Sequence, residues 1–112
     1  MNKLETRMCK AIVNKNDWSF SNTIVEYNSN TDCSAIMLHG NHIATVDHNT
    51  KAVKLSSCGW ETNTTKSRLN AILHELIGCA SVYQKQFNWF LNYNNQTHNF
   101  NDGMILCNGE VV

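Results

Sequence analysis

The chain has 112 residues and equal numbers of basic and acidic side chains, nine of each, so its formal net charge is zero. This length fits one domain with a single core, and is short for a deep pocket enclosed by one copy. Without a basic surface to neutralise phosphates, duplex nucleic acid is disfavoured as a partner. Because the sequence shows neither a signal peptide nor an apolar run near the roughly 20 residues that span a bilayer, we expect a cytoplasmic protein with no membrane partner.

Cysteine and histidine spacing argues against disulfides and metal sites. The five cysteines are an odd number without a Cys-x-x-Cys motif, which is typical of free thiols in a reducing compartment. His39 and His42 form a His-x-x-His pair, but a third ligand with recognisable spacing is missing. We therefore expect neither a metal nor a cofactor.

One amphipathic helix organises the chain. Apolar residues recur at helical spacing at Leu69, Ile72, Leu73, Leu76 and Ile77. We predict a helix over residues 65–77, with Thr64 or Thr65 capping its start and Gly78 in the left-handed conformation that ends it. Its apolar face is core, so Leu73 is predicted to be buried.

The start of this helix is a candidate anion site. Thr64, Thr65 and Lys66, with Arg68 one turn in, lie where a helix presents unpaired N–H groups and the positive end of its dipole. Arg68 is the sharper candidate for a phosphate contact, since the only other arginine is Arg7. An ordinary capped helix with cations on its solvent side explains the same residues.

The N-terminal segment has two interpretations. Residues 2–13 show helical spacing, with Asn2 and Glu5 placed like a capping pair, while residues 10–13 would also suit a strand. Residues 14–22 are predicted to be a polar loop whose two aromatic residues, Trp18 and Phe20, cover the core.

The middle of the chain alternates as a β-sheet does. Four short apolar or β-branched runs are separated by turn residues, and they span residues 23–27, 35–38, 43–46 and 52–55. In the turn between the second and third runs, Gly40 and Asn41 tolerate positive φ. We expect His39 and Asn41 to lie together there and to bind either the turn backbone or a ligand.

Strands also follow the helix, over residues 81–85, 87–93, 98–100 and 104–107. Alternation places Phe87, Trp89 and Leu91 on one face of the second of these strands. Burial in the core is the more common fate of such aromatics, and contact with a flat ligand or a partner subunit is the alternative. The fold class is therefore α+β: one domain over residues 1–112, with a small antiparallel meander packed on one main helix.

Several blocks in this order resemble a family of small proteins from tailed-phage genomes. They are Leu38-His39-Gly40-Asn41, Gly59-Trp60, Thr64-Thr65-Lys66-Ser67-Arg68-Leu69-Asn70 and Val82-Tyr83-Gln84-Lys85. Small phage proteins are often counter-defence factors, and this one is similar in kind to anti-Thoeris sponges. That resemblance implies sequestration of a cyclic ADP-ribose-type signal made by a host TIR-domain protein.

The residues themselves favour a binder over an enzyme, because the shared blocks carry donors and cations but no carboxylate pair for acid–base catalysis. The predicted ligand residues are His39, Asn41, Trp60, Thr64, Thr65, Arg68, Asn70, Tyr83, Lys85, Phe87, Trp89 and Asn92. A pocket that encloses a nucleotide is large for one such domain, so we expect a homodimer or higher oligomer. A blocker of a host protein and a single-stranded nucleic-acid binder remain alternatives.

Overall fold

The computed structural model describes residues 1–112 and has an α+β fold with two helices and ten strands. The helices are α1 (Lys3–Val13) and α2 (Asn63–Leu76). The strands are β1 (Trp18–Phe20), β2 (Thr23–Asn28), β3 (Cys33–Leu38), β4 (Asn41–Asp47), β5 (Val53–Leu55), β6 (Ala80–Lys85), β7 (Asn88–Tyr93), β8 (Gln96–Asn99), β9 (Met104–Cys107) and β10 (Glu110–Val111).

The strands form two antiparallel sheets. The larger sheet has the order β1-β2-β3-β4-β5-β9-β10, and the smaller one has the order β6-β7-β8. The predicted meander is confirmed as β2 to β5, and β9 then returns from the small sheet to pair with β5. Helix α2 connects β5 of the large sheet to β6 of the small sheet, and it packs against β6 and α1.

The core lies where the apolar face of α2 meets α1 and the sheets. Leu69, Ile72 and Leu73 are completely buried, as their spacing predicts, and Met8 and Ile12 of α1 pack into the same cluster. Alternate residues of the central strands complete it, because successive strand residues point to opposite faces. The main helix and the sheet therefore share one apolar core.

The helix ends show which signals the chain uses. The N-terminal segment is helix and not strand, and Asn2 and Glu5 form the complete capping box. In α2 the N-cap is Thr62, two or three residues before the predicted cap, whereas Gly78 has a φ of +93° as expected. Neither helix is long and apolar enough to cross a membrane.

Three sequence-based predictions about aromatic residues and loops are wrong. The predicted loop over 14–22 contains β1, which pairs with β2. Phe20 does not cover the core but is 56% exposed, whereas Trp18 of the same edge strand is partly buried and packs against the core as predicted. Phe87 does not belong to β7: it lies with Gln86 in the two-residue turn that joins β6 to β7, so it does not share the buried face of Trp89.

Candidate functional site

A cleft of about 490 Å3 opens between the β3–β4 turn and the start of α2. It is lined by Leu38, His39, Asn41, Ile43, Ser57, Trp60, Thr62, Thr64 and Thr65. A smaller hollow of about 340 Å3 beside it, lined in part by His42, Lys54 and Asp102, is shallower and more open. Two other surface hollows have similar volumes, about 480 and 490 Å3, but are also more open. The cleft at α2 is the better candidate site, because ligand pockets enclose most of the ligand's surface.

The β3–β4 turn forms one wall of the cleft. Leu38 and Asn41 pair across the hairpin, so its loop holds only His39 and Gly40, with φ values of +51° and +78°. Two positive φ angles are what a two-residue hairpin turn of this twist requires. Positive φ therefore falls at Gly40 but not at Asn41, which begins β4. The turn brings His39 and Asn41 to one cleft, as the sequence predicts.

The segment between β5 and α2 forms the opposite wall, and Ser57 anchors it. Ser57 is 2% exposed, and its N–H and Oγ–H both donate to Asp102 Oδ1, at 2.7 and 3.0 Å. The N–H of Gly59 donates to Ser57 Oγ, and that of Trp60 to the Ser57 carbonyl. This tight turn holds Trp60 at the cleft with 63% of its surface exposed.

The first turn of α2 completes the cleft. Thr62 Oγ1 accepts the N–H of Thr65 at 3.1 Å, and Thr65 Oγ1 donates to the Trp60 carbonyl at 2.9 Å. Both hydroxyls are thus engaged in shaping the helix start. The N–H groups of Asn63 and Thr64 have no partner within the fold, as expected at the first positions of a helix. They are the donors that this end of α2 offers.

The cleft is nearly free of charged side chains. Its lining holds no aspartate, glutamate, lysine or arginine, and the remaining side chains are polar or apolar. Helix α2 has no acidic residue in its first turn, so the positive end of its dipole is not offset there. The N–H groups at the helix start therefore suit an electron-rich or anionic group, and Glu61, one residue before the N-cap, is the nearest acidic residue in the sequence.

Arg68 lies outside the cleft, on the buried side of α2. It is 6% exposed, and its guanidinium donates to Glu5 Oε2 at 2.9 Å, Thr23 Oγ1 at 3.1 Å and Asn22 Oδ1 at 3.3 Å. Burial alone would raise the pKa of Glu5, but hydrogen bonds from Ser67, a backbone N–H and Arg68 lower it below its ordinary value. Arg68 therefore ties α2 to α1 and to the β1–β2 turn, and we leave it out of the proposed site.

Asn70 is engaged in a second structural contact. Its Nδ2 donates to the Val82 carbonyl at 2.9 Å, and its Oδ1 accepts the Val82 N–H at 2.7 Å. The amide thus acts as a strand partner would at the free edge of β6, which otherwise presents unpaired backbone groups. Asn70 joins α2 to the small sheet and does not line the cleft.

Trp89 is core. It is 4% exposed, and its ring centroid lies 5.4 Å from that of Phe100 in an edge-to-face arrangement. The Lys66 ammonium lies 5.8 Å from the centroid of the Trp89 ring. Its Nε1 has no hydrogen-bond partner in the fold. Of the two interpretations of this tryptophan, the structure selects the core.

The other predicted residues of the small sheet lie away from the cleft. Tyr83, Lys85 and Asn92 share the outer face of that sheet. There the ring of Tyr83 stacks on that of Phe90, with 5.6 Å between the ring centroids. Phe87 projects from the β6–β7 turn and is 90% exposed. The structure thus places five of the twelve predicted residues at the cleft and three, Arg68, Asn70 and Trp89, in internal contacts. The other four lie on an aromatic surface formed by the small sheet and its β6–β7 turn.

Comparison with known proteins identifies the family. Residues 1–107 match the family model described as Kyanoviridae Gp96 protein. The chain belongs to this family. The predicted phage origin is thereby confirmed. No curated protein and no solved structure matches the chain.

Four cleft residues of this Kyanoviridae Gp96 family member are absent from the predicted site. Leu38 and Ile43 flank the His39 turn and look like ordinary strand core, and Thr62 could be found only by choosing the right N-cap. Ser57 had no sequence signal, because its position depends on Asp102, which is 45 residues away.

The Gp96 family chain shows one serine–histidine contact, at the far end of the large sheet. Ser34 Oγ lies 2.8 Å from His48 Nε2, but Ser34 is completely buried, and burial also lowers the pKa of His48. Burial raises the pKa of the Cys9 thiol to about 12. Neither Ser34 nor Cys9 is a nucleophile within a substrate's reach.

No group of three histidine, cysteine or carboxylate residues converges as a metal site would require.

Proposed function

We propose that this phage protein binds a small nucleotide-type ligand in the cleft at the start of α2 and holds it without cleaving it. One observation carries the proposal. Residues chosen from the sequence as ligand contacts converge on a single cleft, although they come from two segments of the chain: His39, Asn41, Trp60, Thr64 and Thr65.

Each part of the cleft suits one part of a nucleotide. The exposed indole of Trp60 offers a stacking surface for a base. At the positive end of α2, the unpaired N–H of the lining residue Thr64 and that of its neighbour Asn63 suit a phosphate oxygen. His39 and Asn41, on the opposite wall, suit ribose hydroxyls or base edges by hydrogen bonding.

Binding without turnover follows from what lines the cleft. No carboxylate lies in the lining, whereas hydrolysis of a glycosidic or phosphate bond commonly uses an acid–base pair. The polar groups present are hydroxyls, one amide and one imidazole. They can recognise a ligand. Only Ser57 among them donates its hydroxyl to a carboxylate, that of Asp102, and the 2% exposed Ser57 anchors the turn there with its N–H as well.

The open side of the cleft supports a homo-oligomer. A volume of about 490 Å3 lies within the range of small-molecule pockets. However, Trp60 is open to solvent on one side, and tight capture requires a ligand that is largely enclosed. We propose that a second copy covers this open side, so that each pocket lies at a subunit edge.

Phage origin and ligand capture together suggest counter-defence. The proposed ligand class is a cyclic ADP-ribose-type signal made by a bacterial TIR-domain protein. Sequestering it would keep the defence effector inactive. Such capture must be stoichiometric and near nanomolar, about 12 kcal/mol of binding free energy.

A capture assay tests the proposal. The pure protein is mixed with lysate from cells whose TIR defence has been triggered, the protein is removed, and the filtrate is tested for effector activation. The protein is then heat-denatured and the released material is tested again. We expect the wild type to remove the signal and to release it intact.

Two single variants localise the effect. Trp60→Ala removes the stacking surface of the cleft and should leave the signal in the filtrate. Phe87→Ala removes another exposed aromatic, one that does not line the cleft, and it should capture the signal as the wild type does. Signal left in the filtrate by the wild type would contradict the sponge, and a released product of cleavage would contradict binding without turnover.

Phe87 supports a second candidate, a blocker of a host protein. Phe87 is 90% exposed and has a φ of +69°, and its neighbour Gln86 has a φ of +51°. Bulky side chains at positive φ are strained, and such strain concentrates at functional positions. Exposed aromatics are also common anchors of protein interfaces. In a pull-down, the wild type would capture one host protein. Loss of that host protein with Phe87→Ala, together with its retention by Trp60→Ala, would establish this function instead.

A further inference from the structure

Asn22, at the β1–β2 turn, connects the buried Arg68 to the cleft residue His39. Its Oδ1 accepts from Arg68 at 3.3 Å and from the Thr23 hydroxyl at 2.8 Å. Its Nδ2 lies 3.4 Å from His39 Nε2, and its backbone carbonyl accepts the His39 N–H at 2.8 Å. His39 is thus held twice by the same residue.

The buried Arg68 fixes which atoms donate and which accept in this series of hydrogen bonds. Arginine can only donate hydrogen bonds and stays charged in proteins, so the Asn22 atom that faces Arg68 must be the oxygen. Thr23 Oγ1 accepts from Arg68 Nε at 3.1 Å, so its own hydrogen is free to point at the same oxygen. The Asn22 amide therefore cannot flip without losing the hydrogen bond from Arg68.

With the amide fixed, the group that Asn22 presents to His39 is an NH2, which can only donate. Nε2 of His39 must then accept, and in a neutral imidazole the proton lies on the other nitrogen, Nδ1. That Nδ1 has no partner within the fold, and His39 lines the cleft. The ring consequently has one free polar group, and it is a donor.

We infer that Asn22 is a positioning residue that fixes His39 as the Nδ1–H tautomer, so that the cleft presents a donor and selects a ligand with an acceptor atom facing the β3–β4 turn. Phosphate oxygens and base carbonyls are such acceptors. This inference rests on the proposed function for the role of the donor, whereas the tautomer is a property of the protein alone.

Nitrogen NMR of the imidazole rings tests the tautomer without any ligand. At about pH 8, above the ordinary histidine pKa of about 6.5, we expect His39 Nε2 to resonate as an unprotonated ring nitrogen. His74, exposed on α2 and without a side-chain partner, is the internal reference in the same spectrum. A protonated Nε2 on His39 in the wild type would overturn the inference.

A reversal variant keeps the test independent of stability. Asn22→Asp presents an acceptor to both neighbours, so it still accepts from Arg68 but now also requires a donor at His39 Nε2. We expect Nε2 to become protonated in this variant while His74 is unchanged. If the His39 tautomer is the same in both proteins, Asn22 does not set it and the inference fails.

The effect on recognition is measured with ADP-ribose as the probe. Asn22→Ala frees the ring to adopt either tautomer, so we expect affinity to fall about three- to tenfold, as for one hydrogen bond. Unchanged affinity in this variant would refute the selective role of the donor. Failure of the wild type to bind ADP-ribose at all, with the His39 tautomer as expected, would count against the proposed ligand class and not against the positioning by Asn22.

Discussion

Replacing Arg68 by alanine distinguishes a structural role for this residue from the ligand contact that its sequence position suggests. The side chains of Arg68 and Glu5 are 7% and 3% exposed, and their atoms lie 2.9 Å apart. Removal of one partner leaves the other as an uncompensated buried charge. Such a loss typically costs about 3–5 kcal/mol.

That cost is large for a chain of this size, whose total stability is expected to be about 5–15 kcal/mol. Urea unfolding should therefore show a much lower midpoint for Arg68→Ala than for the wild type. Arg7→Ala is the matched control, because Arg7 is exposed on α1 and should change stability by less than about 0.5 kcal/mol. The double variant Glu5→Leu/Arg68→Met replaces the pair by apolar groups, and it should be more stable than Arg68→Ala alone.

The opposite result would refute this reasoning. If Arg68→Ala unfolds at the wild-type urea concentration but no longer captures ligand, Arg68 contacts the ligand and the buried pair is not a structural contact. If the urea midpoint and ligand capture both fall, capture must be measured again at a urea concentration low enough for the variant to be folded. There we expect the folded variant still to bind, because the cleft lining does not include Arg68.

Three other outcomes are expected from the same structure. Asn70→Ala leaves the Val82 N–H and carbonyl without a partner and should cost about 1–3 kcal/mol by urea unfolding; wild-type stability would show that water replaces the amide fully. Leu73→Ala, at a completely buried site, should cost about 2–5 kcal/mol, and a fully stable variant would contradict its place in the core. The pKa of Glu5 is lowered in the fold, so its contribution to stability is present above its ordinary value of 4.5 and is lost as pH falls through the folded pKa. Glu5→Gln should flatten that acid limb of the stability profile, and an unchanged profile would contradict the linkage.

Local patterns in the sequence were enough to predict most of the fold. The period of Leu69 to Ile77 gave α2, the Asn2–Glu5 pair gave the start of α1, and short β-branched runs gave β2 to β5. These features depend on residues only a few positions apart, so periodicity and capping report them directly. The short β1 was missed because an edge strand of three residues has too little pattern to stand out from a polar loop.

The site was harder to predict because it depends on contacts between distant segments. The turn at His39 and the start of α2 carry local signals, and the structure brings them to one cleft. Arg68 carries the same local signal for an anion site, yet its partner Glu5 lies 63 residues away. Asn22 has no motif at all, and only its position between Arg68 and His39 reveals its role. Whether a polar residue faces a ligand or the core is a tertiary property, and spacing along the chain does not determine it.

Mapping ligand contacts by amide NMR tests the central claim most directly. On titration with the molecule released from the capture assay, or with ADP-ribose, the largest shifts should fall on the N–H groups of Asn63 and Thr64 and on the indole N–H of Trp60. Shifts confined to the β6–β7 turn around Phe87, with the start of α2 unchanged, would contradict the cleft as the binding site and favour the aromatic surface instead.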